Sequence, residues 1–406
     1  MKILFITDNF YPEINAPAKR TLEHCREWVN LGYQTTVITS TPNFPTGKVF
    51  DGYKNRLYQF EIIDNIFVKR VWTYIAPNKG FFFRIIDYAS FMVSSFFCGL
   101  FTKKHDIVIA TSPQFLTLIS GYLVSILKRT PLVLEIRDLW PESIVSVGAM
   151  KESHIGIKIL YKIAIFLYKK AKIIICVTKS FKKDLINKGI DENKIFVIEN
   201  GFDLEKNILP NKTIEGIEEQ YNLNQKDFIV SFIGTIGMAH GLEIVLNAAK
   251  TIDRKVKFLI IGDGARKDNL LEITKKENIK NVDFISTISW QEIVNLNQVI
   301  DVHLVHLINN PEFKKVIPSK IFESMALKKP IIMGVLGESN DIVAKAKCGI
   351  NITPENYNEL NIAIKNYMDN RYLIKQLGGN GYNFLFQNYS RKKLANQMIE
   401  SIITNL

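Results

Sequence analysis

Residues 316–333, VIPSKIFESMALKKPIIM, contain one unit of the fold and pose its main functional question. Ile321, Phe322, Met325, Ala326 and Leu327 recur at helical spacing, then two lysines and Pro330 precede an Ile-Ile-Met run. The pattern predicts a short helix feeding a buried strand. Lys320 and Glu323 stand three apart at the helix start and therefore share one face. Two readings stay open for them. They form a solvated ion pair, with Glu323 also complementing the helix dipole, or they hold a ligand.

Working outward, strand-like runs alternate with helical patterns almost throughout, which implies parallel sheets covered by helices on both faces. The first half offers KILFITD, QTTVITS, HDIVIAT, PLVLEIRD, KIIICVT and KIFVIEN, near-continuous runs suited to strands buried on both faces. Helical patterns include residues 19–31, 115–128 and 155–170. Residues 199–225 are polar and carry Gly201, Pro210 and Gly216, so they read as a linker. A second alternating series follows: FIVSFIG, VKFLIIG, VDFIS, DVHLVHL, PIIMGV and GINITP, each followed by a helix. The expected domains are 1–203 and 204–384. The segment 385–406, with a helical pattern over 391–403, is left free to pack back on the first domain. The class is α/β, with two doubly wound domains. Such sheets bind ligands outside the C-terminal ends of their strands.

A chain of 406 residues exceeds the usual size of one hydrophobic core, and 47% hydrophobic with 23% charged residues is ordinary for a globular protein. The net charge of +12, from 52 Lys and Arg against 40 Asp and Glu, suits an anionic partner: a phosphorylated metabolite, an anionic membrane surface or nucleic acid. The basic residues form no recognisable nucleic-acid motif, so nucleic acid is not expected. Cys25, Cys98, Cys176 and Cys348 lie far apart, which argues against a disulfide framework or a zinc site and favours a reducing cytoplasm. MKILFITDNF reads as a first strand, because Asp8 cuts its apolar run too short for a signal peptide. Residues 81–101 are long enough to span a membrane, but Arg84 and Asp87 argue against a span. The segment is either a helix buried on a sheet or a helix in the membrane interface, with Lys79, Arg84, Lys103 and Lys104 drawn to anionic lipid.

Several signatures are absent. Neither Gly234–Gly237 nor Gly262–Gly264 completes a dinucleotide fingerprint, Val49 stands where a P-loop needs Ser or Thr, and no Asp-x-Asp occurs. His303 and His306, three apart on a strand, face opposite ways and are no metal pair. What remains are glycine-bearing turns that let backbone N–H groups approach a phosphate. In the first half, EIRDLWPES ends a strand with Glu135, Arg137, Asp138 and Glu142, either a ligand site or a structural ion-pair cluster. NFYPEINAPAKR, after the first strand, is able to fold over a ligand.

With these elements placed, the chain resembles the retaining glycosyltransferases of family 4. The likeness runs nearly end to end and is carried by Asn200-Gly201-Phe202-Asp203, the FIG and IGDG turns and PSKIFESMALKKPII. EIRDLWPES and VIPSKIFE make it most similar to the subgroup of L-fucosamine transferases of bacterial O-antigen and capsule synthesis. The resemblance implies a GT-B fold, two doubly wound Rossmann-like domains facing a central cleft. It implies a UDP-sugar donor and a polyprenyl-diphosphate-linked saccharide acceptor, with no cofactor and no metal. It also implies a cytoplasmic enzyme at the anionic inner face of the cytoplasmic membrane. Donor contacts fall at Asn15, Gly234, Thr235, Gly237, His240, Gly262, Gly264, Arg266, Lys315, Ser319, Lys320, Ile321 and Glu323; Arg137, Asp138 and Glu142 lie on the sugar or acceptor side. Glu323 matches the second glutamate of the family's Glu-x7-Glu motif, which binds the ribose, whereas Lys315 occupies the first. Thr235 and His240 stand where the family has Arg and Lys. Lys320 is therefore the first candidate for the diphosphate's cation, with Arg266 and Lys315 behind it, and Asp138 for orienting sugar or acceptor. Asp138, Lys320 and Glu323 are the catalytic candidates. Alternatives are a non-hydrolysing UDP-sugar epimerase and a non-catalytic anion- or membrane-binding protein.

Overall fold

The Val- and Ile-rich runs form strands with both faces covered. The computed structural model describes residues 1–44, 46–75, 81–146, 150–203, 209–253 and 255–406. They divide into two units, Met1–Asn200 with Arg391–Leu406, and Gly201–Ser390. The division falls three residues before the expected boundary, and the returning segment begins at Arg391 instead of residue 385.

The first unit holds β1 (Lys2–Ile6), β2 (Gln34–Ser40), β3 (Tyr58–Ile63), β4 (Ile66–Val71), β5 (Ile107–Thr111), β6 (Leu132–Ile136), β7 (Ile173–Cys176) and β8 (Ile195–Val197). They pair in the order β3-β4-β2-β1-β5-β6-β7-β8, parallel except for β3 with β4. Ile3 lies beside Thr35 on one side and Ile107 on the other, so the strand order reverses at β1. The second unit holds β9 (Phe228–Ile233), β10 (Val256–Ile261), β11 (Val282–Ile285), β12 (Val302–His306), β13 (Ile331–Gly334) and β14 (Gly349–Asn351). All are parallel, in the order β11-β10-β9-β12-β13-β14, with the reversal between β9 and β12. Ligand sites are expected at the C-terminal ends of strands flanking these reversals.

The hairpin β3–β4 is not foreseen by the search for continuous apolar runs. Its signal is different: Asp64 and Asn65, both at positive φ (50° and 61°), form a two-residue turn between alternating strands. The expected linker contains a helix, Ile214–Tyr221, capped by the Thr213 hydroxyl accepting from Gly216 N–H at 3.2 Å.

The helix Ala16–Asn30 starts three residues earlier than its apolar pattern, because Asn15 Oδ1 accepts from Ala18 N–H at 2.9 Å. On this helix Trp28 Nε1 donates to the Ala395 carbonyl at 2.9 Å, and Glu23 accepts from Arg391 Nε at 2.7 Å. The final helix, Arg391–Thr404, is thereby part of the first unit's core, with Leu394, Met398 and Ile402 buried beside Trp28.

The helix Phe81–Phe101 is long and apolar enough to cross a membrane by length and composition alone. One side packs on the helix Leu116–Lys128, where Ser95 and Ser120 hydroxyls lie 2.8 Å apart. The other side presents Val93, Phe97 and Phe101 to solvent, at 47%, 51% and 83% exposure. Lys79 lies outside the described residues.

Candidate active site

In the second unit β9 runs into Gly234, whose φ of +134° a side chain would rarely adopt. A Cβ there would meet Lys320 Cε at 2.4 Å, so the missing side chain is what makes room for the lysine. The neighbouring turn is packed against this one: a Cβ on Gly262 (φ +144°) would lie 2.0 Å from the Gly234 carbonyl oxygen. Gly262→Ala is expected to cost at least about 2 kcal/mol in urea unfolding, since backbone on both sides must move. A variant as stable as the wild type would show that this packing is slack.

Lys320 opens the helix Lys320–Ala326. Its Nζ lies 3.0 Å from His240 Nε2 and 4.3 Å from the centroid of Phe232, instead of reaching back to Glu323 as in a solvated pair. Burial lowers the Lys320 pKa to about 8, opposed in part by the nearby Glu323 charge. His240 is neutral: burial and then the Lys320 charge lower its pKa to about 3. Its Nε2 is thus free to accept from the ammonium. His306 anchors the same loop, its Nδ1 donating to the His240 carbonyl at 2.6 Å while its Nε2 accepts from Glu355 N–H at 2.9 Å. An ammonium has three donors, and His240 takes one. His240 therefore orients a lysine that arrives from a different helix.

Glu323 follows one turn on, half-buried, and lines a crevice with Trp290, His303, Lys320 and Ser324. His303 Nδ1 bonds Ser324 Oγ at 2.9 Å, and its Nε2 is buried without a partner. The sequence marked this histidine only as an unsuitable metal ligand; its register, facing Ser324 on the following helix, was the available signal. His303 and His306 do face apart.

The remaining donor candidates separate. Thr235 is exposed at the turn, Gly237 is extended (φ −108°), and Gly264 abuts the Ile236 carbonyl. Arg266 is paired with Glu243, and Lys315 Nζ with Glu312 Oε1 at 2.9 Å, so each cation already has a carboxylate. Ser319 precedes the helix without capping it by a side-chain bond. The Ile321 side chain is fully buried with Phe322 and Met325, leaving only its backbone for a ligand.

In the first unit the charged stretch after β6 is divided. Glu135 turns inward: its Oε1 accepts from Arg20 Nε at 2.8 Å and its Oε2 from Thr111 Oγ1 at 2.7 Å. Glu142 pairs with Lys188. Asp138 and Arg137 remain, their backbone N–H groups donating to Ser112 Oγ at 3.2 and 2.7 Å. Burial raises the Asp138 pKa to about 6 against the lowering effect of Arg137, whose Nε and Nη1 are buried without partners. Asn15 caps its helix, and Glu13 accepts from the N–H groups of Asn43 and Phe44 at 2.8 and 2.9 Å, which fastens the early loop. Asp8 was missed. It follows β1 at the strand reversal, and burial, then Asp87 and Glu13, raise its pKa well above the usual carboxylate range.

Two parallel α/β units with their candidate groups at strand ends define a GT-B fold. HepE of Anabaena, in complex with UDP-glucose, matches with a TM-score of 0.71 over 100% of both chains at 17% identity. Residues 213–384 match the model of group 1 glycosyl transferases, and residues 18–206 that of glycosyltransferase family 4. WcaI of Escherichia coli, assigned as a colanic acid biosynthesis glycosyl transferase, is 25% identical over 334 residues, 80% of this chain and 81% of its own. WbjE of Pseudomonas aeruginosa, assigned as a glycosyltransferase, is 24% identical over 297 residues, 71% and 72% of the two chains. The chain is a glycosyltransferase of the group 1 and family 4 kind.

Proposed function

We propose that the chain transfers a sugar from a UDP-sugar to a lipid-linked saccharide in the synthesis of a surface polysaccharide, O-antigen or capsule. The donor sugar on this reading is N-acetyl-L-fucosamine or a related N-acetylated hexosamine, and the anomeric configuration is retained. One observation carries the proposal: the buried Lys320 ammonium seated at the Gly234 turn, with Glu323 a turn further along the same helix. A departing UDP develops negative charge on its diphosphate, and a preorganised cation in a dry site stabilises that charge without reorganising. Lys320 supplies it without a metal. Glu323, acceptor-only when ionised, suits the two vicinal hydroxyls of a ribose. In the first unit Asp138 orients an acceptor or sugar hydroxyl; no side chain is assigned as nucleophile. The UDP-glucose complex of HepE and the colanic acid assignment of WcaI support the choice of donor and pathway class. The enzyme works in the cytoplasm, at the inner face of the membrane that carries its acceptor.

Incubation with UDP-sugars and a prenyl-diphosphate-linked saccharide should release UDP, and Glu323→Ala should lower kcat/KM at least about tenfold, mainly through KM for the donor. Absence of turnover with every UDP-sugar, or wild-type kinetics in the variant, overturns the assignment. Donor conversion without acceptor would mark an epimerase instead.

A further inference from the structure

The exposed side of the helix Phe81–Phe101 does not stand alone. It forms one wall of a groove of about 450 Å³, whose other wall is the hairpin β3–β4. That volume falls within the roughly 300–1,000 Å³ of small-ligand sites. Val93, Phe97 and Phe101 line it at four-residue spacing along the helix, opposite Leu57, Tyr58 and Val71. Apolar residues left exposed on both walls, Leu57 and Tyr58 on one and Val93, Phe97 and Phe101 on the other, mark an interaction site.

One end of the groove is basic. Lys69 lies in the groove and donates from Nζ to Thr102 Oγ1 at 2.9 Å, and Lys128 donates to the carbonyl of the same Thr102. Lys103 and Lys104 follow, both exposed. The two converging lysines repel: burial and then the Lys69 charge lower the Lys128 pKa. Asp106, close by in sequence, accepts from the Lys2 backbone N–H instead. Among the described residues no carboxylate pairs with either ammonium, and an apolar trough ending in such groups is complementary to a hydrocarbon chain with a phosphate at one end.

We propose that this groove seats the prenyl chain of the lipid-linked acceptor, with Lys69 and Lys128 at its phosphate. The proposal rests on the transferase reading above and adds a subsite to it. The chain holds the acceptor by its lipid, while the chemistry lies with other residues.

Cys98 lines the groove, whereas Cys25, Cys176 and Cys348 are buried, so alkylation of the full-length protein by N-ethylmaleimide reports on this place. Farnesyl phosphate should slow Cys98 alkylation at least tenfold; inorganic phosphate and farnesol should not. Lys69→Gln should raise the half-protecting concentration at least tenfold, and Ser94→Trp, which fills the groove, should abolish protection. Equal protection by farnesol, no protection at all, or protection by anionic liposomes free of prenyl lipid equal to that by farnesyl phosphate overturns the proposal; the last would mean a bilayer contact. UDP titration of the same protein separates the two readings. UDP binding without Cys98 protection removes the groove alone, and protection without UDP binding removes the transferase reading and leaves a prenyl-phosphate site.

Discussion

Lys320→Met is expected to yield a protein that is more stable than the wild type and poorly able to bind its donor. Burial lowers the lysine from 10.5 to about 8, which corresponds to about 3 kcal/mol against the folded state. The sign follows from the direction of the shift. Below pH 8 the lysine is charged in folded and unfolded chains alike, and the whole cost is present. Between pH 8 and about 10.5 the folded lysine releases its proton first, and the cost fades. Methionine fits an apolar channel beside Phe232 and carries no charge to desolvate. Urea unfolding at pH 7 should therefore show a gain that shrinks above pH 8. Hydrogen bonds to a charged group contribute about 1.5–3 kcal/mol, so UDP affinity should fall roughly 10- to 100-fold. Wild-type UDP affinity should itself weaken as pH rises through 8, with proton uptake on binding there. A variant that is less stable and binds UDP as before would return Lys320 to a structural role.

Glu135→Ala should be the most damaging change in the first unit. Arg20 and Glu135 are each 1% exposed, and the guanidinium also donates to the carbonyls of Glu199 at 2.7 Å and Ile198 at 3.0 Å. Removing the carboxylate leaves a buried cation unpaired, at a cost of about 3–5 kcal/mol. Burial acts to raise the Glu135 pKa, but the charges of Arg20 and Arg137 and the Thr111 hydroxyl together hold it below the usual value. A carboxylate lowered in this way stabilises the fold above its unfolded pKa, near 4.5, and that contribution disappears as pH falls below it. The unfolding midpoint of Glu135→Ala should accordingly drop sharply at pH 7 and less at pH 4. An equal drop at both would assign the loss to packing.

The parallel core was legible because strands buried on both faces must be apolar at nearly every position, and a run such as KIIICVT has few other uses. The edge hairpin was not, since its alternating Tyr58, Phe60 and Ile62 stay exposed and never make a run. The site divides along the same line. Glycine turns and the Lys320–Glu323 spacing mark a helix start at a strand end, so their location was readable. Where the four methylenes of Lys320 carry its charge was not. That depends on the bare Gly234 and on the His240 ring, both distant in sequence. EIRD offered the same difficulty, because which carboxylate meets Arg20 and which stays near the surface is decided by the helix that follows β1.

The return of residues 391–404 to the first unit has a consequence for synthesis. Trp28 finds its hydrogen-bond acceptor, and Glu23 its arginine, on a helix that leaves the ribosome only after the whole second unit. At about 5–20 residues per second, the first unit waits tens of seconds with that flank uncovered while the second is translated. The second unit, whose own segment ends at Ser390, is contiguous and can close as soon as it emerges. Of the two units, the one whose synthesis starts first is thus the one completed second.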